Sequence, residues 1–323
     1  MTPITLINPF NQKPLRFTDA GLTDDAGQLF PQKDGVHIMV KNQDYTGNFG
    51  YQWNRFQTTQ LDNISGISLS KDRFFAETGW DPKALDGQRI LEVGSGAGRF
   101  TQVLLAHTNA DVYSVDYSEA VFANYRNNGP NNRLHLFQAS VYELPFAPAQ
   151  FDKVFCFGVL QHTPDVERTV ASLISMVKPG GELVVDFYPI KGWWTKLHAK
   201  YIFRPFTKKM SHEKLLSLIN KKADRLIGTY RFFDRIGIGR FANRFLPVCD
   251  IKGTLPENLN KTQLREMVVL DTFDMFSPEY DQPQNIKTVV SWFKKHDMEH
   301  VWGGYINYDK YQAAVVKGTR KKI

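Results

Sequence analysis

The feature that most constrains the fold is the segment 91–100, which reads LEVGSGAGRF. The apolar run 89–93 predicts a buried strand, and the segment 99–107 carries apolar residues at helical spacing. The turn between them holds three glycines, none of which has the Cβ that would keep a ligand away from the backbone: Gly94, Gly96 and Gly98. A glycine turn that ends a strand and opens a helix offers free N–H donors and the positive end of a helix dipole. The segment therefore predicts a site where a polar cofactor lies against the main chain.

The spacing of the glycines argues against a nicotinamide dinucleotide. That fingerprint requires G-x-G-x-x-G, whereas the order here is G-x-G-x-G and Arg99 stands at the place of the third dinucleotide glycine. Glu92 precedes the turn, and its charge would repel a pyrophosphate but attract an ammonium or sulfonium group. The next apolar run, 111–115, is followed by Asp116, which suits the hydroxyls of a ribose. A cation, a ribose and an adenine without phosphate predict S-adenosylmethionine as the cofactor.

Together with the glycine turn, four later segments resemble the motifs of class I S-adenosylmethionine-dependent methyltransferases. They are VDYSEA at 115–120, QASVYELPF at 138–146, FDKVFCFGVLQHTPD at 151–165 and VKPGGELVV at 177–185. Five motifs in the family's order are a far more specific signal than a glycine turn alone. The resemblance implies an enzyme that transfers a methyl group from S-adenosylmethionine.

An α/β fold follows from the alternation of apolar strands and amphipathic helices, which predicts a parallel sheet covered on both faces. The predicted strands lie near 89–93, 111–115, 133–137, 152–157 and 181–187, and the predicted helices near 99–107, 119–127 and 166–176. The resemblance implies a doubly wound, seven-stranded, mostly parallel sheet, the Rossmann-like methyltransferase fold. Its last helix and antiparallel strands match NIKTVVSWFKKHDM, HVWGGYINYD and QAAVVKG.

Breaker residues and charge divide the chain into four predicted segments. They are a small N-terminal β element at 1–45, the S-adenosylmethionine-binding core with an N-terminal lid at 46–189, a basic helical insertion at 190–270, and the completion of the core sheet at 271–323. In the lid, a helix is predicted from Lys71 to Thr78 with Ser70 as its cap. Tyr51, Trp53, Arg55 and Arg73 are candidates either for closing over the cofactor or for covering the core.

The N-terminal element resembles a small zinc-binding β-domain in its pieces LINPFNQKPLRF and QLFPQKDGVHIMV. Asn8 and Gln12 lie where that domain has cysteines, and neither is a good zinc ligand. We therefore expect a metal-free version, in which His37 is a packed strand residue rather than a residual ligand.

The resemblance implies a cofactor site at the carboxyl ends of the strands. The glycine turn would approach the methionine part, Glu92 would orient the loop or the amino group, and Asp116 would bind the ribose. The remaining candidates lie around the adenine and the fourth strand: Tyr117 and Val141 flanking the ring, Ser140 meeting the adenine amine where many relatives have aspartate, and Gly158.

His162 is the candidate catalytic base, because it follows the fourth strand and imidazole titrates near neutrality. Its alternative role is to pack beneath the next helix, which Asp165 is expected to cap. A base matters for a hydroxyl acceptor and little for a neutral amine. The Pro-Pro-aromatic motif that presents a flipped base is absent after the fourth strand, which argues against nucleic acid as the acceptor. We expect a small biosynthetic, glycan or lipid-linked acceptor.

The predicted insertion carries a strong positive charge. Residues 190–265 hold 17 lysines and arginines against 5 aspartates and glutamates, although the whole chain has a formal charge of only +7. Trp193 and Trp194 lie at its start, and Leu215, Leu216, Ile219, Leu226 and Ile227 follow at helical spacing. Four alternatives stay open: peripheral contact with an anionic membrane, binding of nucleic acid, binding of a phosphate-bearing substrate, or a helical cap whose charges are only solvated.

Hydropathy and cysteine content narrow the class of protein and its expected location. No apolar run reaches membrane-spanning length and no charged-then-apolar leader is present, so we expect a cytoplasmic protein, with peripheral membrane contact as the open addition. Cys156 and Cys249 are the two cysteines, and Cys156 lies in an apolar strand, which favours buried packing over a disulfide. The alternative to an enzyme is a binding or scaffold protein that keeps the fold and acts through the basic insertion.

Overall fold

The structure is a computed structural model that describes residues 4–41, 46–57, 59, 61–65, 68–256 and 259–322. The chain divides into two compact units. The first comprises Met1–Pro189 and Tyr280–Ile323, and the second comprises Ile190–Glu279.

The first unit is built on one sheet, which has eleven strands among the described residues. In chain order they are β1 (Leu15–Thr18), β2 (Gly21–Asp24), β3 (Leu29–Lys33), β4 (Val36–Ile38), β5 (Arg89–Val93), β6 (Asp111–Asp116), β7 (Leu134–Gln138), β8 (Phe151–Cys156), β9 (Val177–Phe187), β10 (Met298–Tyr308) and β11 (Tyr311–Arg320). Across the sheet the order is β1-β2-β3-β4-β7-β6-β5-β8-β9-β11-β10. The pairs from β4 through to β9 are parallel, and β11 is antiparallel to both β9 and β10.

Twelve α-helices lie in the described part of the chain. They are α1 (Gly47–Arg55), α2 (Asp62–Ser65), α3 (Leu69–Thr78), α4 (Arg99–His107), α5 (Ala120–Asn128), α6 (Val166–Met176), α7 (Ala199–Thr207), α8 (His212–Arg235), α9 (Gly239–Asn243), α10 (Ile251–Thr254), α11 (Lys261–Phe276) and α12 (Ile286–Lys295). Helices α7 to α11 belong to the second unit. None of the described helices combines the length and the apolar character that a membrane-spanning segment needs.

The central strands are buried on both faces, as the near-continuous apolar runs predicted. On β5, Leu91 packs into the hydrophobic cluster on one face, whereas its neighbour Ile90 packs into the cluster on the other face. Successive side chains of a strand point to opposite faces, so each strand supplies both clusters. Helices α3, α4 and α5 pack along one face, and α6 and α12 pack together on the other. The predicted α/β fold is confirmed, and Cys156 is buried among these strands.

The N-terminal element adds four strands to the seven that the resemblance implies. Its last strand, β4, pairs in parallel with β7, so β1 to β4 extend the main sheet. Asn8 is fully buried and donates through Nδ2 to Asp24 Oδ2 at 2.7 Å and to Gln28 Oε1 at 3.0 Å. His37 packs against the rings of Phe17 and Phe137, and burial lowers its pKa to about 4. Within the described residues, no group of three His, Cys, Asp or Glu side chains could hold a metal ion.

The lid segment contains more helix than its sequence pattern predicted. Helix α3 begins at Leu69, so the prediction that Ser70 caps it was wrong. Ser70 lies inside the helix, buried, and its Oγ accepts a hydrogen bond from Arg99 Nε at 3.2 Å. Helix α1 precedes it, and four glycines and asparagines within GNFGYQWNR had concealed its helical character.

The second unit is helical, as its apolar spacing predicted. Helix α8 buries Leu215, Leu216, Ile219 and Ile227 along one side. Helix α11 begins at a capping box formed by Asn260 and Gln263 and runs through the predicted boundary at 270 to Phe276. Seven of its residues are buried, so the helix lacks the alternation of one polar and one apolar face by which an amphipathic helix is recognised in a sequence.

Candidate functional site

The turn after β5 satisfies its own backbone donors. The N–H groups of Gly94 and Ser95 both donate to the Val115 carbonyl, at 2.7 and 3.2 Å, and Gly98 N donates to the Ser95 carbonyl at 2.8 Å. Gly96 N donates to Asp116 Oδ2 at 2.8 Å. The expectation of free N–H donors at these four positions was therefore wrong. Because these donors are used internally, they cannot cradle a pyrophosphate in the way of a dinucleotide-binding turn.

The three glycines of this turn have left-handed backbones but face different neighbours. A Cβ on Gly94 would lie 2.2 Å from Val159 Cγ2, and one on Gly96 would lie 3.3 Å from the Trp53 indole nitrogen. A Cβ on Gly98 would lie 2.2 Å from Asn124 Oδ1. Gly98 therefore serves the packing of α4 against α5, and the approach of a ligand to its backbone stays a prediction.

Three asparagines of α5 hold the turn from behind. Asn127 Nδ2 donates to the Ala97 carbonyl at 2.8 Å, and Asn128 Nδ2 donates to the Gly98 carbonyl at 3.0 Å. Asn124 is fully buried and donates to Thr101 Oγ1 at 2.8 Å. Sequence reasoning missed these residues. The signal that could have found them is three amides on one face of a helix that packs beside a glycine turn.

Glu92 is a carboxylate inside an otherwise apolar strand. Its Oε2 accepts hydrogen bonds from the Thr101 and Ser114 hydroxyls, whereas Oε1 has no hydrogen-bond partner among the described residues. Burial raises the pKa of Glu92 to about 7, against the opposing effect of these two hydroxyls. The side chain therefore ties β5 to α4 and β6 and keeps one oxygen for a further donor.

Asp116 ends β6 beside the turn. Its Oδ1 accepts from Ser118 N at 2.8 Å and from Ser118 Oγ at 2.7 Å, and its Oδ2 accepts from Gly96 N. Burial raises the pKa of Asp116, and these hydrogen bonds oppose that shift. Each carboxylate oxygen can accept two hydrogen bonds, so Oδ2 keeps the capacity for one more donor.

The three candidates for the adenine side follow β6 and β7. Tyr117 is half-buried directly after Asp116, and Ser140 and Val141 are buried two and three residues beyond the end of β7. Ser140 Oγ accepts from Tyr142 N at 3.2 Å, and the Val141 carbonyl accepts from Ser172 Oγ at 2.5 Å. Because β6 and β7 are parallel neighbours, the turns that carry these residues emerge at one edge of the sheet.

Gly158 follows β8 and is exposed, with a left-handed backbone and no atom within 4 Å of the position that a Cβ would take. Its N–H donates to Asp186 Oδ1, and the other oxygen of Asp186 pairs with Arg73. Arg73 also pairs with Glu77 at 2.7 Å. Arg73, a lid candidate, thus anchors α3 to the end of β9. Asp186 was missed, although a carboxylate inside the apolar run VVDF is the same signal that singled out Glu92.

His162 is buried in the 3₁₀ turn Leu160–His162 that follows β8. Its Nδ1 lies 3.0 Å from the Tyr280 carbonyl oxygen, and its ring packs against Phe49 and Tyr188. A carbonyl can only accept, so Nδ1 donates this hydrogen bond. In the neutral form of such a ring, Nε2 is the basic nitrogen. Asp165 caps α6 as predicted, since its side chain accepts from Arg168 N at 3.0 Å.

The segment 280–284 fastens this turn to the sheet. Gln282 N donates to the Gln161 carbonyl at 2.8 Å, and Gln282 Nε2 donates to the Thr163 carbonyl at 2.7 Å. Gln284 N donates to the Tyr188 carbonyl at 2.9 Å. Residues 280–284 thus form a strap that pins the His162 turn.

Helix α1 lies across the candidate site, from the residues after β6 to the turn after β8. Asn54 Nδ2 donates to the Glu119 carbonyl before α5 at 3.1 Å, Trp53 stands over Gly96, and the Phe49 ring lies 5.3 Å from that of His162. One short helix therefore reaches from the β6 side of the turn to the β8 side, as a lid would.

The residues fit a cationic ribonucleoside better than a phosphate. Four backbone N–H groups of the turn donate to acceptors within the protein. Glu92 Oε1 and Ser95 Oγ, in contrast, are buried without a hydrogen-bond partner among the described residues. Buried polar atoms are normally satisfied, so the two point to a donor that the protein does not supply. Together with the open side of Gly158 and the spare capacity of Asp116 Oδ2, these hydrogen-bond acceptors suit S-adenosylmethionine.

Comparisons with known proteins find similarity to methyltransferases. The model of a methyltransferase domain matches residues 91–185. A ubiquinone biosynthesis O-methyltransferase of Coxiella burnetii is 34% identical over 172 residues, which cover 45% of this chain and 73% of that protein. A protein of the same description from Azoarcus sp. is 36% identical over 107 residues, covering 30% of this chain and 42% of its own length. An uncharacterized protein of Synechococcus sp. is 37% identical over 117 residues, which are 28% of its length.

Proposed function

Because this chain belongs to the class I S-adenosylmethionine-dependent methyltransferases, we propose that it methylates a hydroxyl group of a small biosynthetic, glycan or lipid-linked acceptor. The observation that carries the proposal is the tautomer of His162. With Nδ1 bonded to the Tyr280 carbonyl, Nε2 is the nitrogen that can take a proton.

The cofactor supplies a methyl carbon made electrophilic by its sulfonium. The chain's own residues would orient and shield it: Asp116 would hold the ribose, Glu92 and Ser95 would provide polar atoms for the methionine part, and Tyr117, Ser140 and Val141 would border the adenine. Helix α1 excludes water, which strengthens the interaction of the cation with Glu92 and Asp116.

His162 receives the proton of the acceptor hydroxyl at Nε2, so that the oxygen carries the electron pair needed for attack. The Tyr280 carbonyl holds the ring in this tautomer and stabilises the imidazolium that forms. Two relatives described as ubiquinone biosynthesis O-methyltransferases support a hydroxyl over an amine as the acceptor. A base at His162 supports the same choice, because a neutral amine needs no base to attack the methyl group.

Calorimetry with S-adenosylmethionine tests the cofactor site through Asp116→Ala. We expect saturable binding by the unmodified protein and a dissociation constant raised about 10- to 100-fold in the variant, since a charged hydrogen-bond acceptor contributes roughly 1.5–3 kcal/mol. Ser118→Ala is the matched control, because it removes the hydroxyl hydrogen bond to the same carboxylate but leaves the backbone hydrogen bond and the charge. Absence of binding by the unmodified protein would overturn the proposal and favour a non-catalytic scaffold.

Turnover by His162→Asn tests the base. A panel of phenols, sugars and primary amines is scored by S-adenosylhomocysteine release and by a mass gain of one methyl in place of hydrogen. We expect methylation of a hydroxyl compound to fall about 10²- to 10⁴-fold with cofactor affinity unchanged, and the exposed His300→Asn to behave as the unmodified protein. Full turnover by the His162 variant would remove this residue from the mechanism, and methylation confined to amines would contradict the hydroxyl acceptor.

A further inference from the structure

The second unit exposes a compact set of large apolar side chains at the end of α8 and the start of α9. We define residues 231–245 as the α8–α9 tip. Its exposed apolar residues, with their fractional exposure, are Phe232 at 60%, Ile236 at 55%, Ile238 at 46%, Phe241 at 69% and Phe245 at 44%. Scattered single exposed apolar residues need no explanation, but five within fifteen residues form a contiguous stretch of chain that water solvates poorly.

The α8–α9 tip is an ordered turn. Gly237 has a left-handed backbone and its N–H donates to the Asp234 carbonyl at 3.0 Å, while Ile238 N donates to the Phe233 carbonyl at 3.0 Å. The rings of Phe241 and Phe245 contact each other edge to face at 5.4 Å. Because hydrogen bonds define the turn, its apolar side chains are presented by a fixed backbone.

The same turn is strongly basic. Residues 231–245 contain four arginines and one acidic residue, Asp234, which is already paired with Lys252 at 3.3 Å. Arg231, Arg235 and Arg240 are exposed. Guanidinium groups match phosphate oxygens in geometry and charge, so the partner of this surface carries both an apolar and an anionic component.

We propose that the α8–α9 tip docks this protein on an anionic lipid bilayer. Phe232, Ile236, Ile238 and Phe241 enter the boundary between headgroups and acyl chains, and the arginines contact lipid phosphates. A nucleic acid would stack its bases on the exposed phenylalanine rings and pair its phosphates with the arginines, but it would leave Ile236 and Ile238 exposed to water. The charge complementarity and the apolar residues together favour the bilayer.

This docking does not rest on the proposed methyl transfer, and its test measures binding without turnover. The full chain is sedimented with vesicles of phosphatidylcholine alone and of phosphatidylcholine mixed with phosphatidylglycerol. We expect sedimentation with the anionic vesicles only, weakened by added salt, because the arginines supply an electrostatic attraction.

Two double variants separate the components of the surface. Phe232→Ser with Phe241→Ser lowers the partition constant at least about tenfold through lost apolar contact. Arg235→Gln with Arg240→Gln lowers it about 30-fold, since each basic residue near an anionic surface contributes on the order of 1 kcal/mol. The matched control is Phe17→Ser, which removes a phenylalanine that is 72% exposed on β1 and leaves sedimentation unchanged.

Three outcomes would overturn the proposal. The first is failure of the unmodified protein to sediment with anionic vesicles, and the second is equal loss in the Phe17 control. The third is binding to a single-stranded RNA oligonucleotide that is as tight as binding to anionic vesicles and is weakened by both the phenylalanine and the arginine substitutions, which would assign the surface to nucleic acid. All variants lie at exposed positions, and circular dichroism confirms that each is folded before sedimentation.

Discussion

At the scale of single residues, glycines with the same backbone conformation have different structural roles. Gly98 and Gly158 both have left-handed backbones, with φ of 85° and 73°. A side chain at Gly98 would collide with Asn124 and Asn128, whereas a side chain at Gly158 would meet nothing. The first glycine therefore serves packing, and the second leaves open space at the end of β8, where we propose that the cofactor lies.

Alanine substitutions distinguish these roles. Gly27 has φ of 79° and also faces open space, so Gly27→Ala measures backbone strain alone, about 1–2 kcal/mol of unfolding free energy. We expect Gly158→Ala to lose the same stability but to bind S-adenosylmethionine more than about tenfold more weakly through a clash worth at least ~1.4 kcal/mol. Gly98→Ala should lose about 3 kcal/mol or more, because asparagine hydrogen bonds break as well. Denaturant unfolding and calorimetry measure both quantities, and equal affinity of the Gly158 and Gly27 variants would contradict the assignment.

At the scale of elements, a buried hydrogen-bond network joins β5, α4, β6 and α5. Thr101 Oγ1 donates to Glu92 Oε2, lies 3.0 Å from Ser114 Oγ, and accepts from Asn124. Asn128 bonds to both Asn124 and the Gly98 carbonyl. The network sets the position of the glycine turn relative to two strands, so the shape of the site depends on Thr101, Asn124 and Asn128, which hold Glu92 and the turn in place.

The protonation of Glu92 should make stability depend on pH. Burial raises its pKa from 4.5 to about 7, so the folded protein keeps a proton that the unfolded chain releases. Its contribution to stability is therefore present below about pH 4.5 and is lost as pH rises towards 7. The loss is on the order of 3 kcal/mol. Glu92→Gln stays neutral and lacks this loss.

Denaturant unfolding at several pH values between 5 and 8 checks this prediction. The unfolding free energy of Glu92→Gln relative to the unmodified protein should increase as pH rises to about 7 and then level off. The exposed Glu143→Gln serves as the control and should give a curve parallel to that of the unmodified protein. A parallel curve for Glu92→Gln would show that its protonation does not change on folding.

At the scale of the whole molecule, the first unit adds strands at one end of its sheet and closes the other end with antiparallel strands. Strands β1 to β4 continue the sheet beyond β7, which covers an edge that would otherwise expose unpaired backbone groups. At the other end, β11 and β10 close the sheet with antiparallel pairs. The turns after β5, β6, β7 and β8 lie between these two ends of the sheet. The outer strands therefore leave uninterrupted the carboxyl edge where the candidate residues lie.

The sequence by itself determined the alternation of strands and helices and the order of the candidate residues along the chain. These depend on local quantities: apolar period, glycine positions and a capping aspartate such as Asp165. For this reason the observed strands β5 to β9 lie at or close to their predicted positions. The same local patterns failed in α1, where glycines and asparagines of low helix propensity hide the helix, and in α11, where extensive burial hides the period.

Only the tertiary structure decided how these residues are used. The Val115 carbonyl takes the turn's N–H groups, and Tyr280, 118 residues from His162, selects the tautomer of its ring. Both contacts join segments that fold together only when the sheet assembles, and no local pattern encodes which partner a donor meets. The exposure of the α8–α9 tip is likewise a property of the folded unit, because a helical period does not reveal which apolar residues remain uncovered.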